Sequence, residues 1–220
     1  NVLLTKENQN NLQTSFCLKK PISDHLKIKI KNTENKILQG VSFDCRTGIT
    51  FDNVPMRGSS GTEFTKINPA LFESQIKQLN TKLIILQFGV NVVPYILKDY
   101  SYYENLLYKQ LVFLKKVAPH VPILFVSVSD MSRKEGAIYT SYPNIALVRD
   151  AQRRAAFKAG CAFWDLYSNM GGKNSMPSWV KAEKPLANKD YTHFTNKGAN
   201  YIGHLLYNTL INRYEKYSKQ

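Results

Sequence analysis

The chain has 220 residues, 43% hydrophobic and 21% charged, with a formal net charge of +14. That length suffices for one packed core or a core plus a small appendage, and the composition excludes a disordered or fibrous chain. No apolar run approaches the roughly 18 residues of a membrane helix, and the basic residues are scattered ("LKIKIKN", "LKKVAPH", "YEKYSKQ") with no nucleic-acid signature, so the charge reads as a lysine-rich solvated surface.

Residues 1–47 read as a β-rich segment. In "HLKIKIKN", Leu26, Ile28 and Ile30 alternate with Lys27, Lys29 and Lys31, a period of two that buries one face and wets the other. "ILQGVSF" and "GITFDNVPM" follow as further strands around the turn-like "DCRTG", and no helical period precedes residue 64. The opening "NVLLTKENQN" has neither an initiator Met nor a signal peptide's apolar stretch, which points to a processed or trimmed product.

The rhythm then changes, and residues 48–220 read as an α/β domain. "NPALFESQIKQL" starts a helix with Asn68 as cap and Pro69 in the first turn. "KLIILQFG" (82–89) is almost wholly apolar and suits a strand buried on both faces. Residues 101–117 have helical spacing in Leu107, Leu111 and Leu114, and "PILFVSVS" (122–129) is a second buried strand. A helix over 143–160 and a third buried strand, "CAFWDL" (161–166), come next; Thr195 caps a last helix over 196–216. Strands alternating with helices predict a parallel sheet covered on both faces. Function in such sheets sits at the carboxyl ends of the strands, here "FGVN", "SVSD" and "WDLY".

The three cysteines have no metal-ligand spacing. Cys161 reads as a small buried hydrophobe, while Cys17 and Cys45 can pair or stay apart. His25, His120 and His204 fall in a strand, a turn and a helix and read as structural. Asp190 and His193 stand three residues apart just before the last helix, a spacing that lets one carboxylate fix an imidazole nitrogen and leave the other free to take a proton. By itself that spacing also fits a loop aspartate and a helix-entry histidine. Asn91, directly after a buried strand, is either a loop cap or a donor to a developing oxyanion. Gly58 in "MRGSSGTEF" is either a flexible turn or a place where a backbone N–H approaches a ligand. Ser59 and Ser60 beside it do not meet the G-x-S-x-G elbow, because Arg57 and Thr62 stand where glycines are required.

Taken together, "RGSSG", "LQFGVN" and "DYTHFT" resemble the second, third and fifth sequence blocks of the SGNH (GDSL-type) hydrolases, serine esterases on a flavodoxin-like three-layer αβα fold. "FWDLYSNMGG" and "HFTNKGANYIGHLLYNTL" resemble a bacterial branch in which a β-rich module interrupts that fold and whose members remove acyl groups from cell-wall or other extracytoplasmic polysaccharides. The resemblance spans about residues 37–217. It implies His193 as base, Asp190 as its orienting acid, and Gly58 and Asn91 as oxyanion donors. It implies an acylated polysaccharide or other ester substrate, an extracytoplasmic location, no metal and no cofactor.

The family's nucleophile belongs to a G-D-S block after the first strand, and this chain has none. Ser42 in "GVSFD" is the nearest imitation, but it lies only 16 residues before Gly58, too few for a crossover helix plus a second strand. The nucleophile is therefore expected upstream of Asn1. Residues 1–47 are expected to be the tail of the β-rich module, and an upstream segment of the same protein to complete the sheet. In the family order 2-1-3-4-5, residues 48–56 are expected as the second strand and 82–88, 122–128 and 161–166 as the third to fifth. A rival reading keeps the fold as a non-catalytic carbohydrate-binding or scaffold module, with Tyr102, Tyr103 and Trp179 as surfaces that stack on sugars.

Overall fold

The structure is a computed structural model and describes residues 4–9, 14–18, 27, 41, 43 and 47–219. The chain divides into two compact units, Asn1–Asn53 and Val54–Gln220. In the first, β1 (Leu4–Gln9) pairs antiparallel with β2 (Thr14–Leu18), with a register shift between Lys6 and Asn8. The alternating stretch at 26–31, apart from Lys27, lies outside the described residues, as do His25, Ser42 and Cys45. The Cys17–Cys45 question falls there too.

Residues 48–56 correct an expectation. They form no strand, and the side chains of Ile49, Phe51 and Val54 stand 99%, 78% and 78% exposed. A strand exists through its ladder, and no described strand takes these residues as partner.

In the second unit, β3 (Ile84–Gln87), β4 (Ile123–Val126) and β7 (Ala162–Trp164) form a parallel sheet in the order β3-β4-β7, in register Ile84↔Ile123 and Leu124↔Ala162. This is the 3-4-5 part of the expected order. Alternate residues of β4 face opposite layers, as a pleated strand requires. Ile123 and Phe125 pack with Leu107, Leu111 and Leu114 of α2 (Ser101–Val117) and with Val148, Ala151 and Ala155 of α3 (Ile145–Lys158). Leu124 and Val126 pack with Trp164, Leu166, Met176 and Trp179 and with Ile202, Leu205 and Leu206 of α6 (Asn196–Tyr217). The result is an αβα three-layer domain. Its other α-helices are α1 (Pro69–Gln78), α4 (Leu166–Asn169) and α5 (Ser175–Lys181), and a short 3-10 helix spans Phe64–Lys66.

Local chemistry sets the helix starts. Asn68 Oδ1 accepts from the Leu71 N–H with Pro69 at the first helical position, and Thr195 Oγ1 accepts from the Gly198 N–H. All four residues of β4 are buried. In β3 only Leu86 is buried, Ile84 and Ile85 are half-buried, and Gln87 is exposed. The expected two-sided burial of this strand fails because β4 is its one strand partner among the described residues.

One element is absent from the sequence reading. Residues 129–142 hold a hairpin of β5 (Ser132–Glu135) and β6 (Ile138–Ser141), paired Glu135↔Ile138. Its two-residue turn places Gly136 at φ +61°, the positive φ that a type II′ turn needs at its first central residue. No helix of the described residues is long and apolar enough to cross a membrane.

Candidate active site

Asp190 and His193 lie in a loop whose ends are tied before α6 begins. Ala187 and Phe194 form an antiparallel bridge, the Thr195 N–H donates to Leu186 O (3.0 Å), and the Asn188 N–H donates to His193 O (2.8 Å). Within the loop the Tyr191 N–H donates to Asn188 O, with Tyr191 at φ +56°.

This fold-back turns the Asp190 carboxylate onto the chain that follows it. Oδ1 accepts from the backbone N–H groups of Thr192 and His193, both at 3.0 Å, and Oδ2 lies 2.7 Å from His193 Nδ1. Partial burial pushes the Asp190 carboxyl up, but the hydrogen bonds from the His193 N–H, the His193 ring and the Thr192 N–H together hold it below the usual carboxylate range. An ionised carboxylate only accepts, so the proton sits on Nδ1 and the lone pair on Nε2. The His193 side chain is 73% exposed, which leaves its far edge open to a reacting group.

His193 also walls a cavity of about 200 Å³. Gln87, Phe88 and Val90 from the carboxyl end of β3, Val128 and Ser129 from that of β4, and Thr192 and Phe194 complete the lining. The imidazole therefore stands at the carboxyl edge of the sheet.

Asn91 is exposed, and its Nδ2 donates to Ser59 O at 2.9 Å. That leaves one amide hydrogen uncommitted. Gly58 is the third residue of a turn closed by the Ser59 N–H donating to Met56 O (3.2 Å), and its φ of +74° needs glycine. Behind this turn runs a buried relay. The Tyr103 hydroxyl donates to Ser60 O (3.1 Å) and accepts from Gln152 Nε2 (3.2 Å). Gln152 Nε2 also donates to Phe88 O (2.9 Å), and Gln152 Oε1 accepts from the Val128 N–H (2.8 Å). One amide side chain thus satisfies backbone groups at the ends of both β3 and β4 and supports the tyrosine that holds the turn.

The four predicted residues fall into two linked pairs: Asp190 with His193, and Asn91 with the turn that contains Gly58. His193 lines the cavity together with Phe88 and Val90, but neither Asn91 nor Gly58 is among its lining residues. Among the described residues no hydroxyl hydrogen-bonds to the His193 ring. Ser59 is committed elsewhere: its hydroxyl donates to Glu63 and accepts from the Gly61 N–H. That bond from Ser59 is the main cause holding the Glu63 carboxyl low.

Two stacking candidates require correction. Tyr103 and Trp179 are 6% and 7% exposed and belong to the two cores, while Tyr102 is 77% exposed. Helix α2 turns Tyr103 inward with Leu107 four residues on, and Trp179 Nε1 donates to Met170 O. Gln152 escaped the sequence reading. Its signal was a polar residue on the helical face of Val148 and Ala155, a buried position that demands partners.

No family model matches the sequence, and no curated protein matches it at a significant level. A solved peptidoglycan O-acetylesterase is similar in structure, with a TM-score of 0.64 and 24% identity over 72% of this chain and 45% of that one. A Lactobacillus plantarum protein (TM-score 0.46, 19% identity, 60% of this chain and 67% of that) and the periplasmic domain of a lipopolysaccharide acetyltransferase from Salmonella ser. Paratyphi A (TM-score 0.41, 13% identity, 63% and 60%) are more distant. The chain spans less than half the length of the acetylesterase. The fold is thus one that an acetyl-modifying enzyme also has.

Proposed function

We propose that the chain carries the acid–base pair of an SGNH-type serine ester hydrolase acting on acylated carbohydrate, with O-acetyl groups of an extracytoplasmic polysaccharide as the leading substrate. The observation that carries this reading is the 2.7 Å contact between Asp190 Oδ2 and His193 Nδ1, with the imidazole walling a cavity at the carboxyl ends of β3 and β4. In the proposed reaction a serine hydroxyl attacks the ester carbonyl as His193 Nε2 takes its proton. His193 returns that proton to the leaving alkoxide, and water then repeats the cycle on the acyl-enzyme. Asp190 fixes the tautomer and stabilises the imidazolium. The free hydrogen of Asn91 Nδ2 and the Gly58 N–H are the proposed oxyanion donors.

The serine is proposed to arrive on an upstream segment of the same protein that pairs with the open edge of β3. Two things support that position. The family order places the serine strand beside the third strand, and β3 has its second row of ladder groups unpaired by any described strand. A non-catalytic carbohydrate-binding module is the weaker reading, since two of the three aromatic side chains it relied on are buried.

The test is acetate release from an O-acetylated polysaccharide by the intact protein. His193→Ala should lower the rate at least about 100-fold, since loss of a triad member removes general-base catalysis. Release that is unchanged in this variant would end the esterase reading.

A further inference from the structure

We propose that the β5–β6 hairpin holds the Asp190–His193 loop in its working geometry, with Tyr139 as the positioning residue. The contact is direct. The rings of Tyr139 and Tyr191 stack with centroids 3.6 Å apart and planes 3° from parallel. From the other strand of the hairpin, the Ser132 N–H donates to Tyr191 O at 3.0 Å. Tyr191 follows Asp190 immediately and sits at φ +56°, a region that a residue with a Cβ adopts only when its surroundings hold it there. The hairpin grips both the ring and the carbonyl of that residue.

The hairpin is itself anchored. Asp130, fully buried between β4 and β5, accepts from Ser141 Oγ (2.6 Å), the Met176 N–H (2.8 Å) and Ser175 Oγ (3.4 Å). The Ser141 N–H donates to Asn174 Oδ1 and the Asn174 N–H to Ser141 Oγ. The Tyr142 N–H donates to Met131 O, closing the base. The hairpin is thereby fixed to β4 and to the start of α5, and Tyr139, 37% exposed, projects from it onto the loop.

If Tyr191 leaves its left-handed conformation, the backbone on either side rotates. The Asp190 carboxylate then loses the Thr192 and His193 N–H groups and the imidazole together. Nδ1 no longer has a fixed acceptor, so the proton distributes between the two ring nitrogens. The catalytic consequence rests on the esterase reading; the positioning contact does not.

The experiment is 15N–1H NMR of the histidine rings in the intact protein, with His193→Gln assigning the signal, at a temperature well below each variant's melting midpoint. Wild type should show His193 as the Nδ1–H tautomer. Tyr139→Phe keeps the flat ring and should retain that signature. Tyr139→Ala should lose it, and Tyr139→Leu, which keeps apolar bulk if alanine does not fold, should lose it as well. Acetate release should follow, with kcat about 10- to 100-fold lower in the alanine or leucine variant, restored by phenylalanine, and KM little changed. Retention of the Nδ1–H tautomer in Tyr139→Leu would overturn the proposal, as would its loss in Tyr139→Phe. Tautomer loss in a protein whose wild type releases no acetate would uphold the positioning contact while removing the esterase reading.

Discussion

The Tyr103 hydroxyl, buried on α2, donates to the Ser60 carbonyl and accepts from the Gln152 amide, so a side chain distant in sequence holds the Gly58–Ser60 turn in place. Burial pushes this phenol up to about 12, despite an opposing hydrogen bond from Gln152, so it stays protonated and remains a donor at any working pH. Tyr103→Phe should lower stability by about 1–3 kcal/mol, since the Gln152 N–H loses an acceptor. Gln152→Leu should cost more, about 3 kcal/mol or above, because it strands both the Val128 N–H and the Phe88 carbonyl. Denaturant melts of the two variants check the ranking; equal costs would remove Gln152 from the centre of the relay.

Asp190 gives a pH prediction with a definite sign. Its folded carboxyl lies lower than its unfolded one. The stability it contributes is therefore fully present above the ordinary carboxylate range and is lost as pH falls through the folded value. The melting-temperature gap between wild type and Asp190→Ala should be largest near neutrality and should close in acid. Exposure keeps the gap modest. A gap that widens in acid would contradict the assigned hydrogen bonds.

On the proposed oxyanion role, Asn91→Ala in the intact protein should slow acetate release about 100-fold or more, the cost of one such donor. Asn91 is exposed, and its protein partner is a single backbone carbonyl, so the melting temperature should move little. A large stability loss at unchanged rate would make Asn91 a brace for the turn rather than a donor.

Two glycines should respond differently to alanine. At Gly89 an added Cβ would lie 2.5 Å from Gln152 Nε2 and 2.8 Å from Val128 Cβ, at φ +124°. At Gly58 it would meet nothing within 4 Å, at φ +74°. Gly58→Ala should cost only the backbone penalty, about 1 kcal/mol. Gly89→Ala should cost several, since it disturbs the relay as well. Thermal melts of the pair decide this.

What the sequence revealed follows from how local each signal is. α2 was legible from the helical spacing of Leu107, Leu111 and Leu114, α3 from Pro143 and Gly160 at its ends, and β4 from an unbroken apolar run that is buried throughout. β3 was read correctly as a strand but incorrectly as buried on both faces, since burial depends on a partner and not on the strand's own residues. Residues 48–56 misled for the same reason. The β5–β6 hairpin went unread because four-residue strands leave almost no period, and only Gly136 marked its turn. The Asp190–His193 contact is within the reach that three peptide units allow, but the spacing fits an ordinary loop aspartate and helix-entry histidine as well, and only its combination with the other motifs singled the pair out. Tyr139 on Tyr191 and Tyr103 on Ser60 were not foreseeable, because each joins residues more than forty positions apart.

Among the described residues no strand pairs with the outer edge of β3, and this bears on how the α/β unit behaves in solution. A row of unsatisfied N–H and C=O groups recruits any extended chain of suitable length, including a neighbour's. Here Leu83, 41% exposed, and the half-buried Ile84 and Ile85 lie along it, with exposed Lys82 just before them. A preparation without a strand on that edge should self-associate as concentration rises, in a manner that urea disperses sooner than salt does. A peptide able to pair with β3 should suppress the association, so turbidity at high concentration becomes a simple assay for candidate sequences of the proposed partner strand.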